Sequence, residues 1–253
     1  MTNKLKYVIG NWKMFGDFSS IKIIYQLNKF CLSHKKISKK NKIIICLPNT
    51  LIAYFRQKLK SKFISFGAQN CHHYSGFGSF TGSVNASMLK NVGAEYVILG
   101  HSENRSEGET NKVIKEKIMN TLSKNLKIIL CIGETLSEKK NKKTFSVLNK
   151  QINQSILSNF NSKKIMIAYE PVWSIGSNKI PKSNELSANI NFINQQLKKI
   201  FKNRSKPKIL YGGSVNSKNI KKFQLIDEID GFLIGSASRS SKNFIDIIKN
   251  YYK

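Results

Sequence analysis

Two kinds of segment alternate along the chain. Short, predominantly apolar runs recur at 5–10, 42–47, 63–68, 95–99, 126–132, 165–169, 208–211 and 231–234. Runs of this length, rich in Ile, Val and Leu and lacking polar alternation, predict strands buried on both faces, as in a parallel sheet. Between them, longer segments carry apolar residues at helical spacing. They predict helices at 18–34, 50–60, 85–92, 109–124, 143–160, 183–202, 216–226 and 239–251. In the first, the core-facing set is Phe18, Ile21, Ile24, Tyr25, Leu27, Phe30 and Cys31. In the last it is Phe244, Ile247, Ile248 and Tyr251. Asn85 and Ser183 are placed to cap their helices.

Strands alternating with helices imply parallel βαβ units. At 253 residues, eight such units fit one closed (β/α)8 barrel over 1–253, an α/β single-domain fold. An open doubly wound sheet is the alternative. It would carry Gly-x-Gly-x-x-Gly after its first strand, where this chain reads Gly10-Asn11-Trp12-Lys13.

Composition adds three points. Hydrophobic residues make up 40% of the chain, enough for a full core. No apolar run is long enough to cross a bilayer, and the opening residues lack the apolar core of a secretion signal. Cys31, Cys46, Cys71 and Cys131 form no Cys-x-x-Cys pair and lie mostly in apolar runs. This predicts a cytoplasmic protein with buried, reduced thiols and no membrane partner.

The net charge of +29 admits a nucleic acid, an acidic surface or an anionic substrate as partner. Lysine is spread over most of the chain, with Lys90 alone between Lys62 and Lys112, which reads also as compositional drift. Many lysines (35, 36, 39, 40, 42, 163, 164) precede strands. In a barrel they fall on the face opposite the strand ends. Lys139, Lys140, Lys142 and Lys143 fall on the same side as those ends.

The candidate chemistry sits just after the strands. Asn11 and Lys13 follow the first strand. His101, Ser102 and Glu103 follow the fourth. Glu170 ends the sixth, and Pro171 stops it. A barrel brings these ends to one face, where active sites lie. Val172-Trp173-Ser174-Ile175-Gly176-Ser177-Asn178 pairs a large anchor with small residues, the composition of a hinged lid beside a base. Gly212-Gly213-Ser214 and Gly235-Ser236 let backbone N–H groups approach an anion. A phosphate at that place is the common barrel arrangement. His101 heads a predicted turn, a place that favours a neutral, hydrogen-bond-donating imidazole. His72-His73 has no Cys or carboxylate cluster around it, so no metal site is predicted. A base, a neutral electrophile, a cation and a phosphate cradle suit proton abstraction beside a carbonyl on a small phosphorylated substrate.

In these motifs the chain resembles the triosephosphate isomerase family. The resemblance rests on Gly10-Asn11-Trp12-Lys13, Gly67-Ala68-Gln69-Asn70, Thr81-Gly82, Leu99-Gly100-His101-Ser102-Glu103, Cys131-Ile132-Gly133-Glu134-Thr135, Tyr169-Glu170-Pro171-Val172-Trp173, Tyr211-Gly212-Gly213-Ser214-Val215 and Gly231-Phe232-Leu233-Ile234-Gly235, in order along the whole chain. It implies the TIM barrel and a cofactor-free interconversion of dihydroxyacetone phosphate and D-glyceraldehyde 3-phosphate, a step of glycolysis and gluconeogenesis. The role scheme is the family's, a standard worked case. Glu170 would move the proton and His101 would polarise the carbonyl. Lys13 would stabilise the enediolate, Asn11 would bind a substrate oxygen, and Glu103 would accompany Lys13. Gly176, Ser214, Gly235 and Ser236 would hold the phosphate. The family is usually a homodimer. By that likeness the loop over 69–83 reaches a partner, with Thr81 at its tip.

Several positions depart from the family pattern. Ser83 stands where Glu is usual and Asn104 where Arg is usual. The loss of both reads as one subunit-bridging ion pair missing from the interface. Ser236 replaces a glycine; its N–H donor survives, and the expectation is a phosphate turn that is kept or weakened, because serine tolerates positive φ less well. Ser174 replaces alanine. Asn178 replaces glycine and tolerates left-handed geometry. Two rival functions remain: another phosphosugar barrel, which would not keep Asn11, Lys13, His101 and Glu170 together, and a polyanion binder. The basic runs lack the interleaved aromatics of a stacking surface, so no specific nucleic-acid partner is expected.

Overall fold

In the computed structural model, which describes residues 5–202 and 204–252, eight parallel strands close into one barrel in sequence order. They are β1 (Lys6–Asn11), β2 (Asn41–Leu47), β3 (Ile64–Ala68), β4 (Tyr96–Leu99), β5 (Lys127–Ile132), β6 (Ile165–Tyr169), β7 (Lys208–Tyr211) and β8 (Gly231–Ile234). Closure is made by β1 against β8, with Val8 opposite Phe232 and Gly10 opposite Ile234. Each strand coincides with an apolar run to within a residue.

Both faces of the strands are buried, and the period-2 alternation sorts them into two cores. Ile44 and Cys46, Tyr96 and Ile98, Ile129 and Cys131, and Met166 and Ala168 pack together as one cluster that fills the barrel. The alternate residues, such as Ile43, Ile45, Val97, Ile128 and Ile167, pack in the larger cluster against the helices. All four cysteines are buried free thiols.

The longer helices are α1 (Ile21–Ser33), α3 (Asn49–Lys58), α6 (Asn111–Ser123), α8 (Thr144–Ser155), α9 (Ser183–Phe201) and α10 (Ser241–Tyr251). Short ones occupy α2 (Lys35–Ser38), α4 (Ala86–Asn91), α5 (Ser102–Ser106) and α7 (Leu136–Lys140). None of the described helices is long and apolar enough to cross a membrane. Asn85 caps α4 as expected, accepting the Met88 N–H at 2.9 Å.

Four expectations fail locally. No α-helix forms over 216–226. A four-residue 3-10 turn, Ile220–Phe223, stands there instead. Asn216 Oδ1 accepts the Lys218 and Asn219 N–H groups, and Asn219 Nδ2 donates to Ser214 O. These side-chain bonds satisfy backbone groups that a helix would otherwise use. Ser183 does not cap α9 but is its first residue, and Lys182 precedes it without a side-chain cap. Phe18 and Tyr25 leave the core face and are exposed. Phe18 lies in a 3-10 turn capped by Asp17, ahead of α1, and Tyr25 falls beside the buried stripe of Ile21, Ile24, Leu27, Phe30 and Cys31, which keeps the predicted phase. The helix predicted over 143–160 stops at Ser155.

Candidate active site

The strand ends set the geometry. Asn11 ends β1 with its side chain buried, and its Oδ1 accepts the Lys13 N–H at 3.1 Å. Lys13 adopts φ 56°, a left-handed conformation uncommon outside glycine. That turn aims its ammonium across to Glu103, at 2.5 Å. After β4, His101 is 4% exposed and caps α5. Its Nδ1 accepts the Glu103 N–H at 3.3 Å, which assigns the proton of the neutral ring to Nε2. Arg105 pins this turn by donating to Gly100 O at 2.7 Å and Cys131 O at 3.2 Å.

Glu170 follows β6, with its N–H bonded to Ile132 O at 2.8 Å. Its carboxylate is buried, and Oε2 has no hydrogen-bond partner among the described residues. That oxygen lies 3.8 Å from His101 Nε2. Two glycines make the seat. A Cβ on Gly133 would stand 1.8 Å from Glu170 O, and one on Gly212 would stand 2.5 Å from Glu170 Cγ. Burial pushes the Glu170 carboxyl above the ordinary carboxylate range. His101, the Cys131 thiol and Lys13 oppose that rise, and Glu103 adds to it. The result suits a base that must give up a proton as readily as it takes one.

The residues after Glu170 form an anchored loop. Trp173 Nε1 donates to Glu134 at 2.8 Å, and the Lys139 ammonium lies 3.7 Å from the centre of the Trp173 ring. Ser174 is fully buried. Its Oγ donates to Lys179 O at 2.6 Å, stands 3.2 Å from Tyr211 Oη and accepts the Ser214 N–H at 3.3 Å. It therefore ties both ends of the loop to the turn after β7. Gly176 (φ 68°) and Asn178 (φ 57°) lie between the ties in left-handed geometry, as the asparagine predicts. At the β8 turn the expectation of strain at Ser236 is overturned. Its φ is not positive, because it opens the 3-10 turn Ser236–Arg239. A Cβ on Gly235 would meet nothing within 4 Å, so the turn faces open space.

Asn11, Lys13, His101, Glu170, Gly176, Asn178, Ser214, Gly235 and Ser236 line one cavity of 350 Å³. The "Triosephosphate isomerase" family model matches residues 6–251. The chain is 38% identical to the triosephosphate isomerase of Yarrowia lipolytica over 96% of its own length and 97% of that protein. It is 37% identical to that of Aquifex aeolicus, over 97% and 99% respectively. The crystal structure of triosephosphate isomerase from Bartonella henselae superposes with a TM-score of 0.88 at 33% identity, covering 98% of this chain and 99% of that one. The chain belongs to the triosephosphate isomerase family.

Not every residue expected from the family likeness lies in that cavity. Glu103 lines a smaller adjoining one with Asn11 and Lys13. Ser102 and Val172 line a third, behind Glu170. Trp173, Ser174 and Ser177 hold the loop from outside. Ile175 reaches the cavity. Thr81 is exposed on the loop over 69–83. A larger cavity of 520 Å³ runs past His72, His73, Ser83 and Asn104, away from the base. Among the described residues no three His, Cys, Asp or Glu side chains converge as a metal site.

Glu134 is the main functional residue that pattern reading left without a role. It is fully buried and accepts from Trp173 and from Tyr169 Oη at 3.1 Å. Burial raises its carboxyl, and these hydrogen bonds oppose the rise. Its signals in the sequence are its place after β5 and its membership of the Cys131–Thr135 motif, neither of which names its partner. Glu134→Gln should weaken the Trp173 anchor and lower kcat/KM by about tenfold, the worth of a hydrogen bond to a charged group. Acrylamide quenching of Trp173 should rise, while Trp12, 1% exposed, gives an unchanged component.

Proposed function

We propose that the protein is a triosephosphate isomerase interconverting dihydroxyacetone phosphate and D-glyceraldehyde 3-phosphate in the cytoplasm. The observation that carries this reading is the pairing of the buried Glu170 carboxylate with the His101 imidazole, 3.8 Å apart, over a cavity edged by glycine turns. Glu170 removes a proton from C1 of the ketose. The carbonyl oxygen gains negative charge as the C1–C2 double bond forms. His101 Nε2–H and the Lys13 ammonium stabilise that oxygen, and Asn11 donates to the substrate. Glu170 then returns the proton to C2, while His101 Nε2–H gives its proton to the C2 oxygen and takes the proton of the C1 hydroxyl, so that C1 becomes the aldehyde and C2 carries the hydroxyl. The same groups run the reverse direction. Gly176, Ser214 and the backbone N–H groups of Gly235 and Ser236 hold the phosphate. Closure of the loop over 172–178 keeps water from the enediolate. The side chains account for each proton transfer without a cofactor.

The reading includes a homodimer of single-domain subunits. The loop over 69–83 exposes Phe77 (76%) and leaves Tyr74 and Phe80 partly bare, as a docking loop would. Thr81 at its tip would reach the partner's Asn11. Neither Ser83 nor Asn104 carries a charge, so no ion pair between these positions strengthens the contact. Losing both members of a pair strands no buried charge and costs little.

A coupled assay in each direction tests the activity, with the reaction also run in D2O. Turnover with deuterium on the product carbon is the expected result. A folded dimer that neither turns over nor exchanges would overturn the reading. Sedimentation equilibrium reads the assembly, with a dimer expected at micromolar concentration.

A further inference from the structure

We infer that Arg239 is an additional phosphate-binding residue, a guanidinium that supplements the backbone cradle at the β8 turn. The inference rests on the reading of the cavity as a triose phosphate site and extends it to a side chain outside the motifs. Arg239 lines the same cavity as Lys13, Glu170, Ser214, Gly235 and Ser236. It closes the 3-10 turn that Ser236 opens, so its backbone is fixed relative to the amides of that turn.

Two observations set it apart from the lysine-rich surface. The first is its lack of a carboxylate. Lys13, the other permanent cation of the cavity, is held by Glu103 at 2.5 Å. Arg239 makes no ion pair and no hydrogen bond among the described residues. The second is its platform. The guanidinium lies over the Phe15 ring, 4.3 Å from its centre. Phe15 is 54% exposed and sits two residues beyond Lys13, in the turn after β1. Stacking uses the flat face of a guanidinium and leaves its edge of N–H donors free. A pre-oriented edge beside an amide-lined turn matches two oxygens of a phosphate dianion. The aromatic contact also fixes the side chain before substrate arrives, which reduces the ordering cost of binding.

Inorganic phosphate, titrated calorimetrically against the intact enzyme, is the direct probe. Arg239→Gln should raise the phosphate Kd by roughly tenfold or more, the effect of losing a charge-assisted hydrogen bond. KM for either triose phosphate should rise by a similar factor, with the loss falling on KM rather than kcat, as for binding shared by ground and transition states. Arg239→Lys, which keeps the charge without the fork, should recover part of the affinity. Phe15→Ala should weaken phosphate by about twofold to fivefold, through the platform alone. Melting curves of each variant confirm the fold. A phosphate Kd and a KM both within twofold of the parent in Arg239→Gln would overturn the assignment, as would a parent enzyme that binds no phosphate at millimolar concentration. Phosphate binding that depends on Arg239 in a protein without isomerase turnover would uphold the assignment and sink the isomerase reading alone.

Discussion

Glu170→Gln is expected to lower kcat by roughly 10²–10⁴-fold, the usual worth of a positioned general base, and to raise thermal stability. Both effects come from one fact. The carboxylate is buried with one oxygen unpartnered, and burial holds its proton more tightly than in the unfolded chain. A carboxyl raised on folding favours the folded state when protonated. That stability is present at low pH and is lost as pH rises through the folded-state pKa. At neutral pH the parent therefore carries an ionised, poorly solvated group. A neutral amide in its place is less costly to leave unpaired. The stability gain should widen from acid to neutral pH, as differential scanning calorimetry across the range would read. A melting temperature for the glutamine variant below the parent's at neutral pH would refute it. The acid limb of kcat/KM depends on the same groups. It should lie above the range of a surface glutamate, because Glu170 must be ionised to act. Glu103 adds to the rise at Glu170, so Glu103→Gln should move the limb to lower pH.

Gly133→Ala is the second large effect. Gly133 has no positive φ and needs no special backbone. It must be glycine because its Cα faces the peptide of Glu170, with 1.8 Å available to a Cβ. The chain cannot retreat easily. Gln151 holds Gly133 from the other side, accepting its N–H at 2.8 Å and donating to its carbonyl at 3.1 Å. The alanine must then displace Glu170 or break the Gln151 clamp. Overpacking of this kind costs about 1–3 kcal/mol or more. A shift of roughly 1 Å at a catalytic group costs on the order of 10²-fold in rate. The expected result is a melting temperature lower by several degrees and kcat/KM lower by at least ~100-fold. A variant with parent-like kinetics would show that the β5 turn moves freely and does not seat the base.

The strands were legible because a parallel barrel buries both faces of each one, and its apolar runs stand out without reference to neighbours. The residues at the strand ends were legible for the same reason: once a strand is located, the next few residues lie on the catalytic face. The helix expected over 216–226 does not form because spacing counts apolar positions and overlooks competition from Asn216 and Asn219 for the backbone. Strain at Ser236 does not arise because φ depends on the turn a residue joins, and this serine opens a 3-10 turn in ordinary geometry.

The sequence by itself determined local properties: which segments are strands, their order, and which polar residues come after them. Those properties depend on side-chain periodicity and on neighbours a few residues away. The tertiary structure decided every pairing between distant positions. It set Glu170 against Gly133 and Gly212, joined Ser174 to Tyr211 and Ser214, gave Glu134 to Trp173, and laid Arg239 on Phe15. These partners lie from 37 to 224 positions apart in the chain. Their contacts exist because β1 closes on β8 and brings all eight strand ends around one axis. No local preference records that closure, so the roles of Ser174, Glu134 and Arg239 appear once the barrel is formed.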